Sequence, residues 1–374
     1  MTEKEALEMK LNIDDFTFVD IYKLNRSDQL MGKNSKYILD VCKRFFKNPW
    51  VVIFFLLLII VILLTIMVPA LSPYSAFTSV STNSWANNLR PRIPGLGIHG
   101  HYETVLTDGQ YNLMSKVPGF IVGNAQQIYG EWYVMVNPYA LPELQNIYPI
   151  FGTDASGVDV WTRTWYATQQ SLLIALIVAL SSIVIGAIYG SISGSFAGRM
   201  PDTIMMRIVE ILSGVPTILW LLILATIFSF GNSGGVDNTS LTISLILITW
   251  MGPAILTRTF IMKNKDAEYV QATRTIGGNQ ARIIFKHMLP NISGRLIVRF
   301  VHLIPAVIFF EATLVFLNIK SPFDIGLGTL INQGYQASEQ IYLLIAPTLV
   351  LVAITLSAQI VANGINDAID PRIS

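Results

Sequence analysis

The sequence is poor in the groups that carry covalent and metal chemistry. Its 374 residues include one cysteine, Cys42, and four histidines. A lone thiol closes no internal disulfide and builds no cysteine metal cluster. Charge is scarce too: Asp, Glu, Lys and Arg make up 13%, against about 25% in an ordinary soluble domain. That deficit argues against a soluble enzyme. The net charge is +1, so no bulk basic field recruits nucleic acid. A phosphate-cradling G-x-x-x-x-G-K-[S/T] loop is missing, because Gly32-Lys33 has Ser27 where the first glycine is required. There is no H-E-x-x-H, and the one G-x-S-x-G string, Gly231 to Gly235, falls between two apolar runs rather than inside one. Of the histidines only His302 falls in a long apolar run, which leaves a membrane-embedded hydrolase without a nucleophile and base.

What is abundant is apolar surface, 52% of residues, and this excludes disorder. Trp50 to Leu71 carries no charge. At 1.5 Å per residue it is about 33 Å long, enough for a ~30 Å hydrocarbon core. It is too long, and too far from the start, for a cleaved signal peptide. Further runs are expected at about 166–193, 204–229, 241–261, 292–317 and 341–363. Six spans put both termini on one side. On that side lie twenty of the 25 Lys and Arg residues, including Lys43, Arg44 and Lys47 just before the first span. The positive-inside bias predicts cytoplasmic termini and a cytoplasmic loop at 263–290. The expected organisation is a cytoplasmic N-terminal extension over 1–49, partly disordered in its first 35 residues. A span at 50–71, an external insert at 72–148 and a five-helix core at 149–374 follow.

The insert is rich in Gly, Pro, Asn and aromatics. Thr107-Asp108-Gly109-Gln110 lies between two alternating stretches, Tyr102 to Leu106 and Tyr111 to Met114. It reads as an Asp-Gly hairpin. Glu131 to Val136 reads as another strand. A small external domain with short strands is expected, its aromatics divided between a core and a surface patch.

The most informative stretch is Glu268-Tyr-Val-Gln-Ala-Thr-Arg-Thr-Ile-Gly277, running on to Lys286-His-Met-Leu-Pro290. Glu268, Gln271, Ala272 and Thr275 share one helical face. Small Ala272 and Thr273 permit close approach by a partner. Gly277-Gly278 can end the helix in a left-handed cap, and Asn279 can cap the next one. A short helix, a sharp turn and a second helix feeding the membrane can transmit force from a soluble partner. By spacing alone, a solvated amphipathic loop fits about equally well.

Gln271-Ala-Thr, then Gly277, then His287-x-Leu-Pro290 resembles the EAA loop of ABC-importer permeases. The wider string from Glu268 to Asn291 is similar to the oligopeptide/dipeptide (OppC/DppC) type. Phe151-Gly-Thr-Asp154 with Gly157, Asp159 and Val160 resembles that family's lead-in to span two. Glu311-Ala-Thr-Leu-Val-Phe-Leu resembles its span five, Asp367-Ala-Ile-Asp-Pro-Arg372 its ending, and Lys43-Arg-Phe-Phe-Lys-Asn-Pro its approach to span one. The chain departs from the pattern at Gln271 (usually Glu), Thr273 (usually Ala), Val158 (usually Arg) and Asn318-Ile-Lys (usually Gly-Leu-Gly).

The resemblance implies an all-α polytopic membrane protein. Six transmembrane helices would form a type I ABC-importer permease fold, with the small external domain added. It implies a permease subunit in a bacterial plasma membrane that does no covalent chemistry and binds no cofactor. Implied partners are a second homologous permease, two cytoplasmic ATPases that bind ATP and Mg, and an external binding protein that delivers oligopeptide. ATPase coupling would fall to Glu268, Tyr269, Gln271, Ala272, Thr273, Gly277, Arg282 and Pro290. An importer of a nickel chelate or a glycan is the nearest alternative. A membrane receptor with an external binding domain is the alternative of another class, but a receptor has no need of the EAA element.

Other residues are weighed on their own chemistry. Gly186, Gly190, Gly194 and Gly198 recur every four residues and form a strip for close helix packing. Glu311 and Glu210 are acids in or near spans, which are costly and often functional. Both are candidates for the pathway or a gate, although Glu210 can also pair with Arg207 three residues before it. His99, His101 and Glu103 alternate and would share a face if extended, yet an ordinary polar loop is favoured over a metal site.

Overall fold

The computed structural model describes residues 37–229, 235–321, 324–337 and 340–369. The mixed-charge segment 1–35 and the Asp-Pro-Arg ending lie outside them. Helix α1, Tyr37–Lys47, carries the exposed Cys42. Helix α2, Pro49–Leu71, is capped by Asn48, whose Oδ1 accepts the Trp50 amide at 3.1 Å. Pro49 occupies the first turn, where a missing N–H costs nothing. Apolar on every side, α2 suits lipid rather than water.

Helix α4, Val160–Ser195, begins at Asp159, whose Oδ2 accepts the Thr162 amide at 2.8 Å. Helices α5, Met200–Ser213, and α6, Thr217–Phe228, follow. Then come α7, Asn238–Asn264, which runs through a junction at Trp250, and α8, Glu268–Thr275. The last are α9, Gln280–Phe316, α10, Leu327–Gln336, and α11, Ile341–Ile369. Five of these, α2, α4, α7, α9 and α11, are long and apolar enough to cross a membrane, and the α5–α6 pair makes a sixth span if the two are taken together.

That sixth span is not the straight helix expected over 204–229. It bends by 90° between α5 and α6. Pro216 lacks the N–H that Leu212 would have accepted, and a proline disfavours helical geometry at Val215 before it. The freed Leu212 carbonyl instead accepts the Trp220 indole N–H at 2.8 Å. The break is thus satisfied by a side chain from the next helix.

The helices meet around Trp165, Val178, Leu221, Leu245, Ile308, Leu314 and Ile354. Helices α4 and α7 approach each other closely. A Cβ on Gly186 would lie 2.6 Å from that of Pro253, one on Gly194 would lie 2.9 Å from that of Ile261, and one on Gly190 would strike the Ala254 carbonyl. Three of the four strip glycines therefore do pack. Gly198 does not: it lies beyond α4 at φ 80° with open space around it, and it serves a left-handed turn rather than a helix contact.

Between α2 and α4 the insert folds around its own core of Leu89, Leu106, Phe120, Val134, Val136 and Leu144. Strands β1, Tyr102–Leu106, β2, Ile121–Ile128, and β3, Glu131–Val136, form an antiparallel sheet in the order β1-β3-β2. The expected Asp-Gly hairpin is not formed. Thr107 caps a short helix α3, Asp108–Met114, in a capping box with Gln110, so Tyr111 to Met114 is helical. Asp108 accepts the Trp132 indole N–H at 2.6 Å, and Tyr111 stacks on the Trp132 ring. The hairpin turn lies instead at Tyr129-Gly130, both at positive φ, between paired Ile128 and Glu131.

Candidate functional site

The site is built where α7, α8 and α9 meet, at the end of the bundle away from the insert. Helix α8 is eight residues long and would be marginal alone. Its inner face supplies Val270, fully buried against Ile261, Ile283, Ile284 and Met288. Gln271 Nε2 donates to the Asp266 carbonyl at 2.9 Å at its start. At its end the Gly278 amide reaches the Thr273 carbonyl and the Gly277 amide the Arg274 carbonyl, both at 2.9 Å. With Gly277 at φ 80° this is a Schellman cap. Asn279 Oδ1 then accepts the Arg282 amide at 2.8 Å and starts α9.

Helix α9 runs without a break from this cap into the bundle. Its 37 residues span about 55 Å. Residues Ile283–Met288 form a π turn, in which the Leu289 amide reaches the Ile284 carbonyl. Pro290 follows at once. Its ring and missing N–H disrupt the ordinary ladder, and the wider turn accommodates it.

The outer face of α8 presents Glu268, Gln271, Ala272 and Thr275, all exposed. Tyr269 is at its edge, and Arg282 and Pro290 are exposed on α9. Thr273 is a correction. It was expected on the partner-facing side, yet it is buried, its Oγ1 donates to the Tyr269 carbonyl at 2.7 Å, and its methyl packs under Gly278. It stands three residues after Val270 and therefore shares the inward face. Two residues were missed. Ile276 is 85% exposed and Phe285 59% exposed, large apolar side chains flanking the turn. An isoleucine just before a Gly-Gly stop was the available signal, since the chain turns away before anything can cover it.

An ion pair between buried Asp202 and half-buried Arg258 anchors this end. Asp202 accepts Arg258 Nε at 2.6 Å on Oδ1 and Arg258 Nη2 at 2.8 Å on Oδ2. It also accepts Ser193 Oγ at 2.6 Å and the Gly198 amide at 3.1 Å. One carboxylate thus ties α4, α5 and α7 together. Sequence reasoning passed over Asp202, whose one signal is its place right after Pro201 in a first helical turn. Between the end of α4 and the turn at Gly277 lies a cavity of about 520 Å³, lined by Arg199, Lys265 and Arg274 with Asp266.

At the opposite end Glu311 is buried and accepts Lys320 Nζ at 2.5 Å; Lys320 is buried as well. The Val236 amide reaches the Ile319 carbonyl at 3.0 Å and the Ser321 amide reaches the Val236 carbonyl at 2.8 Å. The loop after α9 is thus pinned both to α9 and to the start of α7. Glu210 pairs with Arg207 at 2.8 Å on an exposed face of α5. The rings of His99 and His101 stack, and among the described residues no three His, Cys, Asp or Glu side chains gather to hold a metal. On the insert, one face of the sheet leaves Val105, Tyr133 and Met135 exposed.

Comparison with known proteins adds the following. Residues 182–374 match the family model described as binding-protein-dependent transport system inner membrane component. Residues 36–91 match the N-terminal TM domain of oligopeptide transport permease C. The chain is 47% identical to the oligopeptide transport system permease protein OppC of Mycoplasma pneumoniae over 363 residues, 96% of each chain. It is 47% identical to the OppC of Mycoplasma genitalium over 367 residues, again 96% of each. It is 31% identical to the dipeptide transport system permease protein DppC of Lactococcus lactis over 366 residues, 96% of this chain and 98% of that one. At such coverage the alignments run through the insert as well as the bundle.

Proposed function

The chain belongs to the binding-protein-dependent inner-membrane permeases, in their oligopeptide permease C branch, and from that premise we propose how this subunit works. It is a multi-pass membrane permease of an ABC importer. Its cargo is oligopeptide, as the names of its relatives suggest. It forms half of the translocation pathway, and a second homologous permease forms the other half. The insert lies outside the cell and receives the peptide-loaded binding protein. The α8 turn and both termini lie in the cytoplasm, where two ATPase subunits bind ATP and Mg and do the hydrolysis.

The observation that carries this reading is the construction of the α8–α9 junction. Glu268, Gln271, Ala272, Thr275 and Ile276 form an exposed face on a helix whose other side is locked to the bundle. Exposed apolar side chains such as Ile276 are typical anchors of protein interfaces. A displacement of this face by an ATPase passes through the cap at Gly277 into α9. Because α9 is continuous, motion of its near end is felt at Glu311 and Lys320 at its far end. Coupling residues are thus those that hold the lever (Gly277, Asn279, Thr273) and those that receive the push (Glu268, Tyr269, Gln271, Ala272, Ile276).

The test is transport by the whole complex. Reconstitute it in liposomes with binding protein outside and ATP inside, and measure uptake of a labelled peptide. Uptake that needs this chain, ATP and binding protein together is expected. Uptake of a nickel chelate or an oligosaccharide instead of peptide would move the cargo to another class and leave the permease assignment standing.

A further inference from the structure

A second site lies where α2, α4 and the insert converge. They border an open cavity of about 600 Å³ with walls from Leu64, Met67 and Val68 of α2, together with Ile150 and Trp161. Asp159 forms part of its wall beside Ser72 and Tyr74. The Asp159 side chain is almost wholly buried. Its Oδ2 accepts the Thr162 amide at 2.8 Å and Thr162 Oγ1 at 2.7 Å. The Trp161 amide also leans on the carboxylate. Its Oδ1 accepts no hydrogen bond from the described residues. A buried carboxylate oxygen without a donor is costly, so the wall has an unmet demand for one N–H or O–H. Burial pushes the Asp159 carboxyl above its ordinary range, and a donor on Oδ1 would act in the opposite sense.

The position of the cavity points to what fills it. Ser72 Oγ and Thr162 Oγ1, 2.6 Å apart, join the end of α2 to the start of α4, so the cavity lies at the membrane boundary. Tyr74, Tyr148 and Trp161 line it, and aromatics of this kind mark the head-group level of a bilayer. Helix α2 is the least buried of the five long apolar helices, with Met67 and Leu71 exposed beside the cavity. Among the described residues no Lys or Arg lines it, which disfavours a head that must bury an uncompensated anion.

We propose that this cavity binds one lipid of the leaflet on the insert's side, its chain against α2 and a hydrogen-bond donor of its head on Asp159. The lipid fastens the insert, through Asn146 and Tyr148, to the ends of α2 and α4. The proposal needs the membrane reading but not the peptide cargo or the coupling mechanism, so it can fail without them.

The probes are two photoactivatable lipids with the same diazirine-bearing chain, phosphatidylethanolamine, whose ammonium donates hydrogen bonds, and phosphatidylcholine, whose quaternary head does not. The full complex in lipid nanodiscs is irradiated, and labelled peptides covering 64–74 and 148–161 are quantified. Phosphatidylethanolamine is expected to label them about tenfold more than phosphatidylcholine, the lower end of the scale of one charge-assisted hydrogen bond. Val68→Trp fills the cavity and should abolish that labelling while leaving labelling around Leu180, on the exposed side of α4, unchanged. Asp159→Asn, which keeps a capping oxygen, should narrow the preference to less than about twofold, because the charge is lost. Equal labelling by both probes in the unaltered protein would overturn the assignment of the head group. Labelling indifferent to Val68→Trp would overturn the site. A photo-crosslinking residue at Met67 that captured the second permease instead of lipid would also overturn it.

Discussion

Arg258 holds Asp202 with two hydrogen bonds, 2.6 Å from Nε and 2.8 Å from Nη2, where α5 and α7 meet just ahead of α8. Removing the Asp202 charge leaves half-buried Arg258 unpaired, which costs less than the ~3–5 kcal/mol of a fully buried pair. Asp202→Asn should therefore lower the thermal stability of the complex in lipid, followed by intrinsic tryptophan fluorescence. Arg258→Lys should recover little, because an ammonium cannot reproduce the fork. Unchanged melting for both variants would mean that the pair does not hold this end together.

The glycine strip gives a prediction with an internal control. At Gly190 a Cβ would strike backbone, the Ala254 carbonyl. Backbone cannot swing aside as a side-chain tip can, so Gly190→Ala should part α4 from α7 and cost at least the ~1–3 kcal/mol of an overpacked core. At Gly198 there is open space, and only the left-handed backbone at φ 80° resists a side chain. Gly198→Ala should cost about 1–2 kcal/mol. Expression and melting temperature of the assembled complex report the difference, and Gly190→Ala is expected to be the more damaging.

Glu311 and Lys320 provide a cycle. Glu311→Gln and Lys320→Met each break a buried ion pair and should each destabilise by about 3–5 kcal/mol. Glu311→Met with Lys320→Met removes both charges and should recover most of that loss. Stability in the double variant with peptide uptake still impaired would give the pair a gating role beyond packing. Normal uptake in the double variant would confine it to packing.

How much of this was legible in the sequence differs from element to element. The spans announce themselves as charge-free apolar runs, but averaged hydropathy hides the bend at Pro216. The replacement of a lost N–H by the Trp220 indole is a tertiary fact. In the insert, alternation marks β1 and β3. Strand β2 escapes because Gly123, Asn124 and the Gln126-Gln127 pair break the alternation of Ile121–Ile128, and it is bulged between Val122 and Gln126. The Asp-Gly pair misled because Thr107 and Gln110 form a capping box around it, a local bond that competes with a hairpin. At the α8–α9 turn, Gly277 and Asn279 were readable because their roles are local backbone geometry. The inward turn of Thr273 was not, since eight residues leave the phase of a helix open until the core around Val270 sets it.

Orientation has a direct check. With Cys42→Ser as background, a cysteine at exposed Ser115 in the insert or at exposed Lys286 on α9 can be treated with an impermeant maleimide on intact cells. Labelling at Ser115 and protection at Lys286 are expected from the charge bias. The reverse pattern would invert the topology.

The central claim is that the cap at Gly277 transmits ATPase motion to α9, and the most direct measurement is the amount of peptide transported per ATP hydrolysed in proteoliposomes. Gly277 has room for a Cβ, but its φ of 80° resists one. Gly277→Val should keep the complex assembled and hydrolysing ATP. Its uptake should fall roughly tenfold, since a β-branched residue in this backbone region costs at least about 1–2 kcal/mol. Gly277→Asn, which tolerates the left-handed conformation, should stay near the unaltered ratio. Equal peptide-to-ATP ratios in the valine variant and the unaltered protein would contradict the account.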